Sequence, residues 1–348
     1  MNWLVFGAGA IGTYIGVSLI LHGQNVVFLE QPEAAELLKE RGLRFNFQDQ
    51  ENRLLHPDVY ASLPEVLTLG KFDVGIFAVK SFDTQSVLEG LRPYKTSLPP
   101  ILCLQNGVEN EPVLRQVLGK EKVIAGTVTS SILRRGIGDI VLERQRGIGV
   151  AADHPISSVI VRALLDTGLN ARLYRSPLAM KWSKMLTNLL ANATCAILDM
   201  SPAEVLSHAD LYRVEVAQLR EALAVMRALH LLPVNLPGTP VVAFTSLIRY
   251  LPEALSRPLI SRFAGSGRGQ KMPSFHIDLY AGRKQSEVDY LNGAVVRFGS
   301  RLHLPTPVNQ WLDFTLVSLM RGELPLGEYA HQPKKFLQDL LIFKNQNG

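Results

Sequence analysis

Residues 1–12, MNWLVFGAGAIG, constrain the fold more than any other stretch of the chain. A short apolar run from Trp3 to Phe6 has strand length. It feeds directly into Gly7, Gly9 and Gly12, after which Tyr14 to Leu21 carries a helix-like apolar pattern. The order is strand, glycine turn, helix. In that arrangement Gly7 permits the tight turn, Gly9 lets the backbone approach a pyrophosphate, and Gly12 lets the helix lie close to the strand. Ala10 and Ile11 then open the helix, whose first N–H groups point at the phosphates. A second strand, Asn25 to Leu29, ends at Glu30, where a carboxylate can accept the adenosine ribose hydroxyls. This context favours a dinucleotide site over a bare turn followed by a solvated strand end.

Beyond Glu30, residues 32–41 read as a helix, and the polar stretch to about Leu63 reads as a meandering insert with short strands. Phe72 to Val79 has the pattern of a buried strand and delivers Lys80 at its carboxyl end. Ile101 to Leu104 does the same for Gln105, Asn106 and Gly107. In an open parallel sheet those ends are where ligands bind. Residues 123–132 and 139–150 supply further strands and residues 155–165 another helix, so the first half reads as a doubly wound α/β domain.

From Pro177 onward the periodic segments are helical: residues 179–198, 209–231, 241–251, 277–302 and 308–320. Residues 232–240, which carry prolines, and the glycine- and cation-rich residues 261–273 read as interruptions. The expected organisation is a Rossmann-type doubly wound domain over 1–175 and an all-helical substrate domain over 176–348, with a second ligand in a cleft between them.

Composition excludes several classes. The net charge of +5 is mild and the cations are scattered, so nucleic acid is not implied and anionic small molecules suffice. The 2 cysteines, Cys103 and Cys195, sit in apolar stretches and read as buried free thiols, not a disulfide framework or a metal site. No apolar run has membrane-spanning length, and the N-terminus lacks an export signal, so a cytoplasmic protein is expected. The apolar helical half suits either a large internal core or a homodimer interface.

The chemistry-bearing pattern lies in residues 179–198, where Lys184, Asn188 and Asn192 recur one helical turn apart within an apolar segment. A buried amine or amide needs a partner or a ligand, so a polar stripe there suggests the wall of a wet cavity. The alternative, an exposed Lys184 with asparagines satisfied in the core, has the same periodicity. A second cluster, residues 283–293 (RKQSEVDYLNG), places Glu287, Asp289 and Asn292 among apolar residues. Its acidic face can be set against Lys184, and a lysine beside a carboxylate can protonate a carbonyl oxygen as hydride reaches carbon.

Together, GAGAIG at 7–12, the Val79-Lys80-Ser81 strand end, Gln105-Asn106-Gly107, the spaced Lys184, Asn188 and Asn192, and Ser274 followed by AGRKQSEVDYLNG at 281–293 resemble the ketopantoate reductase family in order along the whole chain. The resemblance implies a Rossmann domain plus a helical domain that reduces a 2-oxo acid with a nicotinamide dinucleotide. It implies that Lys184 is the general acid, that Lys80 and Asn106 line the cofactor side, that Asn188, Asn192 and Ser274 bind substrate, and that Glu287 orders lysine and substrate.

Two departures bear on specificity. The family tends to carry arginine after the second strand and to use NADPH, whereas this chain has Glu30-Gln31. A carboxylate there repels a 2′-phosphate, so NADH is expected, with NADPH the alternative. That preference brings the chain near the family's D-2-hydroxyacid (D-mandelate) dehydrogenase branch, against the alternative of a 2-dehydropantoate 2-reductase. The second departure is SFHID in place of a Ser-Met-Leu-Gln-Asp pattern, with one extra residue before Glu287. His276 there is expected to be structural and not a second acid. Arg262, Arg268 and Lys271 are expected to lie in a solvated loop, with anion binding as the alternative. A non-catalytic dinucleotide sensor is a remoter reading, opposed by the presence of Lys184 and Glu287.

Overall fold

The computed structural model describes residues 1–47, 50–268 and 271–347. Two compact units emerge: one of Met1–Gln105, Glu109–Lys181 and Leu236–Thr239, the other of Asn106–Val108, Trp182–Asn235 and Pro240–Gly348.

The first unit contains β1 (Asn2–Phe6), α1 (Ala10–Leu21), β2 (Asn25–Leu29), α2 (Pro32–Arg41), β3 (Leu43–Phe47), β4 (Gln50–Leu55), β5 (Asp58–Tyr60), α3 (Leu63–Thr68) and β6 (Val74–Phe77). It continues with α4 (Thr84–Leu91), β7 (Ile101–Cys103), α5 (Asn110–Leu118), β8 (Val123–Val128), β9 (Ser131–Gly136), β10 (Asp139–Arg144), β11 (Ile148–Ala151), α6 (Ser157–Asp166) and β12 (Ala171–Tyr174). An 8-stranded sheet runs in the order β12-β11-β8-β7-β6-β1-β2-β5. Its pairings are parallel except for β8 with β11.

Strand order reverses at β1: the chain adds β2 and β5 on one side, then β6, β7 and β8 on the other. The carboxyl ends of β1 and β6 therefore flank the switch point, where open α/β sheets bind ligands. Leu4, Phe6, Phe77, Ile101, Cys103, Leu114 and Val123 form one buried cluster beneath it. Burying each large apolar side chain of this kind contributes about 1.5–3 kcal/mol relative to exposure.

The stretch that reads from sequence as a meandering insert forms part of a second sheet. Four strands order as β4-β3-β10-β9, so residues 123–132 and 139–150 each divide between two sheets instead of supplying one strand apiece. Tyr14 of α1 packs edge-on against Phe47 of β3, with ring centroids 5.7 Å apart. The backbone N–H of Gly138, before β10, donates to the Ala8 carbonyl at 3.0 Å, which buttresses the glycine turn.

Helix α7 (Pro177–Leu189) crosses from the first unit's residues into the second's. The second unit continues with α8 (Ala193–Leu198), α9 (Pro202–Ser207), α10 (Ala209–Ala228), α11 (Val241–Tyr250), α12 (Glu253–Arg268), α13 (Ser274–Tyr280), α14 (Val288–Arg301), α15 (Pro307–Arg321) and α16 (Pro333–Asn347). The α/β architecture followed by a helical half is the one the sequence implies.

Three helix boundaries differ from the sequence reading. Residues 179–198 are not one helix: α7 ends at Leu189, and Ala191 adopts a left-handed conformation with φ of 51° before α8 begins. Residues 277–302 are likewise split, because α13 closes at Ala281-Gly282, with Gly282 at φ of 71°, and α14 restarts after Glu287. Residues 261–268 extend α12 and are not loop, although each glycine inside a helix costs about 1 kcal/mol relative to alanine. Gly269 and Gln270 of that expected loop, and the side chain of Arg268, lie outside the described residues. Among the described residues no helix is long and apolar enough to cross a membrane.

Candidate active site

The glycine turn is built as its sequence requires. Gly7 sits at φ of 93°, and its N–H donates to the Leu29 carbonyl at 3.0 Å, joining the ends of β1 and β2. A Cβ on Gly12 would lie 1.9 Å from the Gly7 carbonyl oxygen, so only glycine lets α1 approach the strand. A Cβ on Gly9 would meet nothing within 4 Å. Gly12 therefore answers to the protein's own packing, whereas the space at Gly9 lies open for a ligand. Helix α1 begins at Ala10 with no side-chain cap on Gly9 and no acidic residue in its first turn. Its first N–H groups and the positive end of its dipole suit a pyrophosphate.

Glu30 stands beside this turn. The Ala8 N–H donates to its Oε1, and the Gln31 N–H donates to Oε2 at 3.1 Å. The carboxylate is thus anchored to the glycine turn while each oxygen keeps acceptor capacity for a ribose hydroxyl. Lys80 follows β6 and precedes the single turn of 3₁₀ helix at Ser81–Asp83. The Gln105 side chain ties this end down, its Nε2 donating to the Val79 carbonyl at 3.0 Å and to Thr84 Oγ1 at 2.7 Å. These features fit a dinucleotide: an open glycine, an uncapped helix start and an oriented carboxylate.

A buried ion pair underlies the β7 end. Lys181 Nζ lies 2.7 Å from Glu111 Oε1, with both side chains nearly inaccessible, and it donates to the Gln105 carbonyl at 2.6 Å. Sequence reasoning passed over both residues: Lys181 sits in the apolar run AMKWSK and Glu111 in a helix start, and nothing in their spacing marks them as partners. Burial pushes the nearby Cys103 thiol far above its ordinary range, which leaves it inert. Cys195 is also buried and free.

The second unit gathers the other polar groups. Lys184, half-buried, and Asn188, buried, lie one turn apart on α7. Asn188 Nδ2 donates to Asn106 Oδ1 at 3.0 Å. Asn192 follows the helix break at the N-cap of α8. Its Nδ2 donates to the Asn188 carbonyl at 3.1 Å, and its Oδ1 accepts the Phe275 N–H at 3.2 Å. Asn106, Asn188, Asn192 and the start of α13 are therefore one hydrogen-bonded row, with Ser274 exposed at its end.

Glu287 is buried at the N-cap of α14. Its neighbours in sequence do not share one acidic face. Asp289 pairs with Arg297 at 2.6 Å, and Asn292 donates to Gln218 Oε1 at 3.1 Å and Asn309 Oδ1 at 3.0 Å in the core. His276 lies 2.6 Å from Asp199 through Nε2 and stacks on Tyr280 at 4.2 Å, partners that account for it structurally. A separate cavity of about 570 Å³ in the second unit, bordered by Tyr212, Arg220, Glu221, Ser256 and Lys344, contains none of the candidate residues.

Two family models cover most of the chain: "Ketopantoate reductase PanE/ApbA" matches residues 3–153, and "Ketopantoate reductase PanE/ApbA C terminal" matches residues 178–319. The chain belongs to the ketopantoate reductase family. As a member it is an oxidoreductase with a Rossmann-type N-terminal half.

Among curated relatives, a 2-dehydropantoate 2-reductase of Lactococcus lactis is 26% identical over 319 residues, 90% of this chain and 96% of the relative. One from Archaeoglobus fulgidus is 27% identical over 323 residues, 91% of this chain and 96% of the relative. Among solved structures, a PanE/ApbA family ketopantoate reductase from Ralstonia eutropha JMP134 superposes with a TM-score of 0.77 at 25% identity, covering 93% of this chain and 99% of that one. A D-mandelate dehydrogenase solved with NADH and anilino(oxo)acetate shares the fold, with a TM-score of 0.76 at 22% identity over 92% of this chain and 99% of that one.

Proposed function

We propose that this ketopantoate reductase family member reduces a 2-oxo acid to the 2-hydroxy acid, with NADH as the preferred cofactor and Lys184 as the proton donor. The observation that carries the reading is the row Asn106–Asn188–Asn192–Phe275 on the helix face that bears Lys184. Oriented amides of that kind can hold a carboxylate and a carbonyl oxygen while the ammonium one turn away supplies the proton.

A bound reduced nicotinamide supplies the hydride. Gly9 and the uncapped start of α1 would hold its pyrophosphate and Glu30 its ribose, with Ala10, Ile11, Lys80 and Asn106 alongside. Lys184 donates to the carbonyl oxygen as negative charge develops there, and Glu287, buried at the N-cap of α14, is assigned to ordering lysine and substrate. Asn188, Asn192 and Ser274 orient the acid. Glu30 supports NADH, because its anchored carboxylate would meet a 2′-phosphate as a like charge.

The names of the curated relatives make ketopantoate the first acceptor to test. A branched or aromatic acceptor is a second reading, supported by Glu30 and by Phe275-His276 at the start of α13. The test is oxidation of NADH and of NADPH, separately, with ketopantoate, 2-oxoisovalerate and phenylglyoxylate. NADH turnover with one of these acids is the expected result. Better turnover with NADPH overturns the cofactor assignment, and no turnover with any pair overturns the reaction.

A further inference from the structure

Ala191 is a non-glycine residue in the left-handed region, at φ of 51°, between α7 and α8. That conformation crowds a Cβ against the backbone and persists only where the surroundings enforce it. Glu215, on α10 and completely inaccessible, is what enforces it. Its Oε2 accepts the Ala191 N–H at 2.6 Å and Gln218 Nε2 at 2.6 Å, and its Oε1 accepts the Thr194 hydroxyl at 2.5 Å. One carboxylate thus grips the break on both sides of Asn192.

The break has a direct geometric consequence. An uninterrupted α7 would have carried Asn192 on as an ordinary interior helical position. The left-handed residue instead makes Asn192 the N-cap of α8, where its amide spans from the Asn188 carbonyl to the Phe275 N–H, next to Ser274. Glu215 therefore determines the relative placement of the substrate-binding groups Asn188, Asn192 and Ser274.

We infer that Glu215 is a positioning residue for the 2-oxo acid: it touches no substrate and acts through the Ala191 turn and Asn192. This inference rests on the function proposed above. A carboxylate is suited to the task because it accepts hydrogen bonds at both oxygens. A glutamine accepts through one oxygen only: with that oxygen on the Ala191 N–H, its amide must donate to the Thr194 hydroxyl, which reverses that bond and removes the charge that strengthens all three.

The experiment compares Glu215→Gln, Thr194→Val and Thr194→Ser with the unaltered enzyme, measuring KM for the 2-oxo acid, kcat, NADH affinity by fluorescence, and melting temperature. Glu215→Gln and Thr194→Val should each raise the 2-oxo acid KM about tenfold with NADH affinity unchanged, while Thr194→Ser, which keeps the hydroxyl, stays near the original value. If Glu215→Gln fails to fold, the Thr194 pair decides. Unchanged KM in folded variants overturns the positioning role. So does a loss shared equally by NADH affinity and 2-oxo acid KM, which marks a merely structural residue. An unaltered enzyme that turns over no 2-oxo acid overturns the proposed function itself, and the inference with it; that failure is read before any variant is compared.

Discussion

Asn188 donates its side-chain amide to the Asn106 side-chain oxygen at 3.0 Å, although 82 residues separate them in the chain. The contact joins the polar residues after β7 to the face of α7 that carries Lys184. Both residues are amides, and neither can replace the lysine as an acid near neutral pH.

That distinction makes Lys184→Ala informative. Removing the ammonium should lower turnover by roughly two to four orders of magnitude, the range of general acid catalysis. Dinucleotide affinity, measured by fluorescence titration, should stay nearly constant, because the glycine turn and Glu30 are untouched. Unchanged turnover would remove Lys184 from the mechanism.

Gly9 and Gly12 should respond differently to alanine. Gly12→Ala drives a Cβ to 1.9 Å from the Gly7 carbonyl oxygen, so a drop in melting temperature should accompany loss of cofactor binding. Gly9→Ala meets no protein atom within 4 Å and should melt near the unaltered temperature while binding the dinucleotide more weakly. Calorimetry with and without NADH separates the two; equal thermal losses would contradict the assignment.

Glu30 is bonded to the glycine turn, and the proposed reading also gives it the ribose of the cofactor. Glu30→Arg replaces a like charge with a partner for a 2′-phosphate and should move the NADH to NADPH preference ratio by about ten- to hundredfold. Because the Ala8 N–H loses its acceptor, NADH affinity should also fall. A ratio of kcat/KM values that does not move would show that the second strand's end does not face the ribose.

The Lys181–Glu111 pair predicts strong non-additivity. Lys181→Met leaves a buried carboxylate without its counter-charge and should destabilise by about 3–5 kcal/mol. Adding Glu111→Gln removes the stranded charge, so the double variant should be more stable than Lys181→Met alone. Urea denaturation of all four proteins completes the cycle, and additive losses would reject the coupling.

Asp313 should make stability depend on pH. Burial, with the nearby Asp289 carboxylate second, raises its pKa from 3.8 to about 7. The folded state then holds a proton that the unfolded chain releases above pH 4. Stability is fully present below that point, falls as pH rises toward 7, and is level above it. Asp313→Asn removes this loss and should raise the melting temperature by several degrees at pH 8, with little change at pH 4. An equal shift at both values would show that Asp313 does not titrate in this window.

Much of the local structure around the candidate site was legible because its signals are local. Gly7 is needed for its positive φ and Gly12 because a Cβ would strike the carbonyl oxygen of Gly7 five residues earlier, so both are fixed within the same few residues as β1 and α1. Lys184 and Asn188 share a face because one helix sets their spacing. The helical second half was readable from its period, whereas its interruptions were not. Ala191 carries no intrinsic preference for the left-handed region, and its turn depends on Glu215, a residue of a different helix. His276, expected from the sequence to be structural, has contacts with Asp199 and Tyr280 that account for it in that way.

By itself, the sequence determined the glycine turn, the alternation of β1, α1 and β2, the apolar strands leading to Lys80 and Asn106, and the α7 face with Lys184 and Asn188. These depend on sterics and periodicity over a few neighbouring residues. Only the tertiary structure decided the division of β3, β4, β9 and β10 into a second sheet, the pairing of Lys181 with Glu111, and the placement of Asn192 by Glu215. Each of these joins groups distant in the chain, and the need to satisfy buried charges and backbone N–H groups selects among partners that no local pattern ranks.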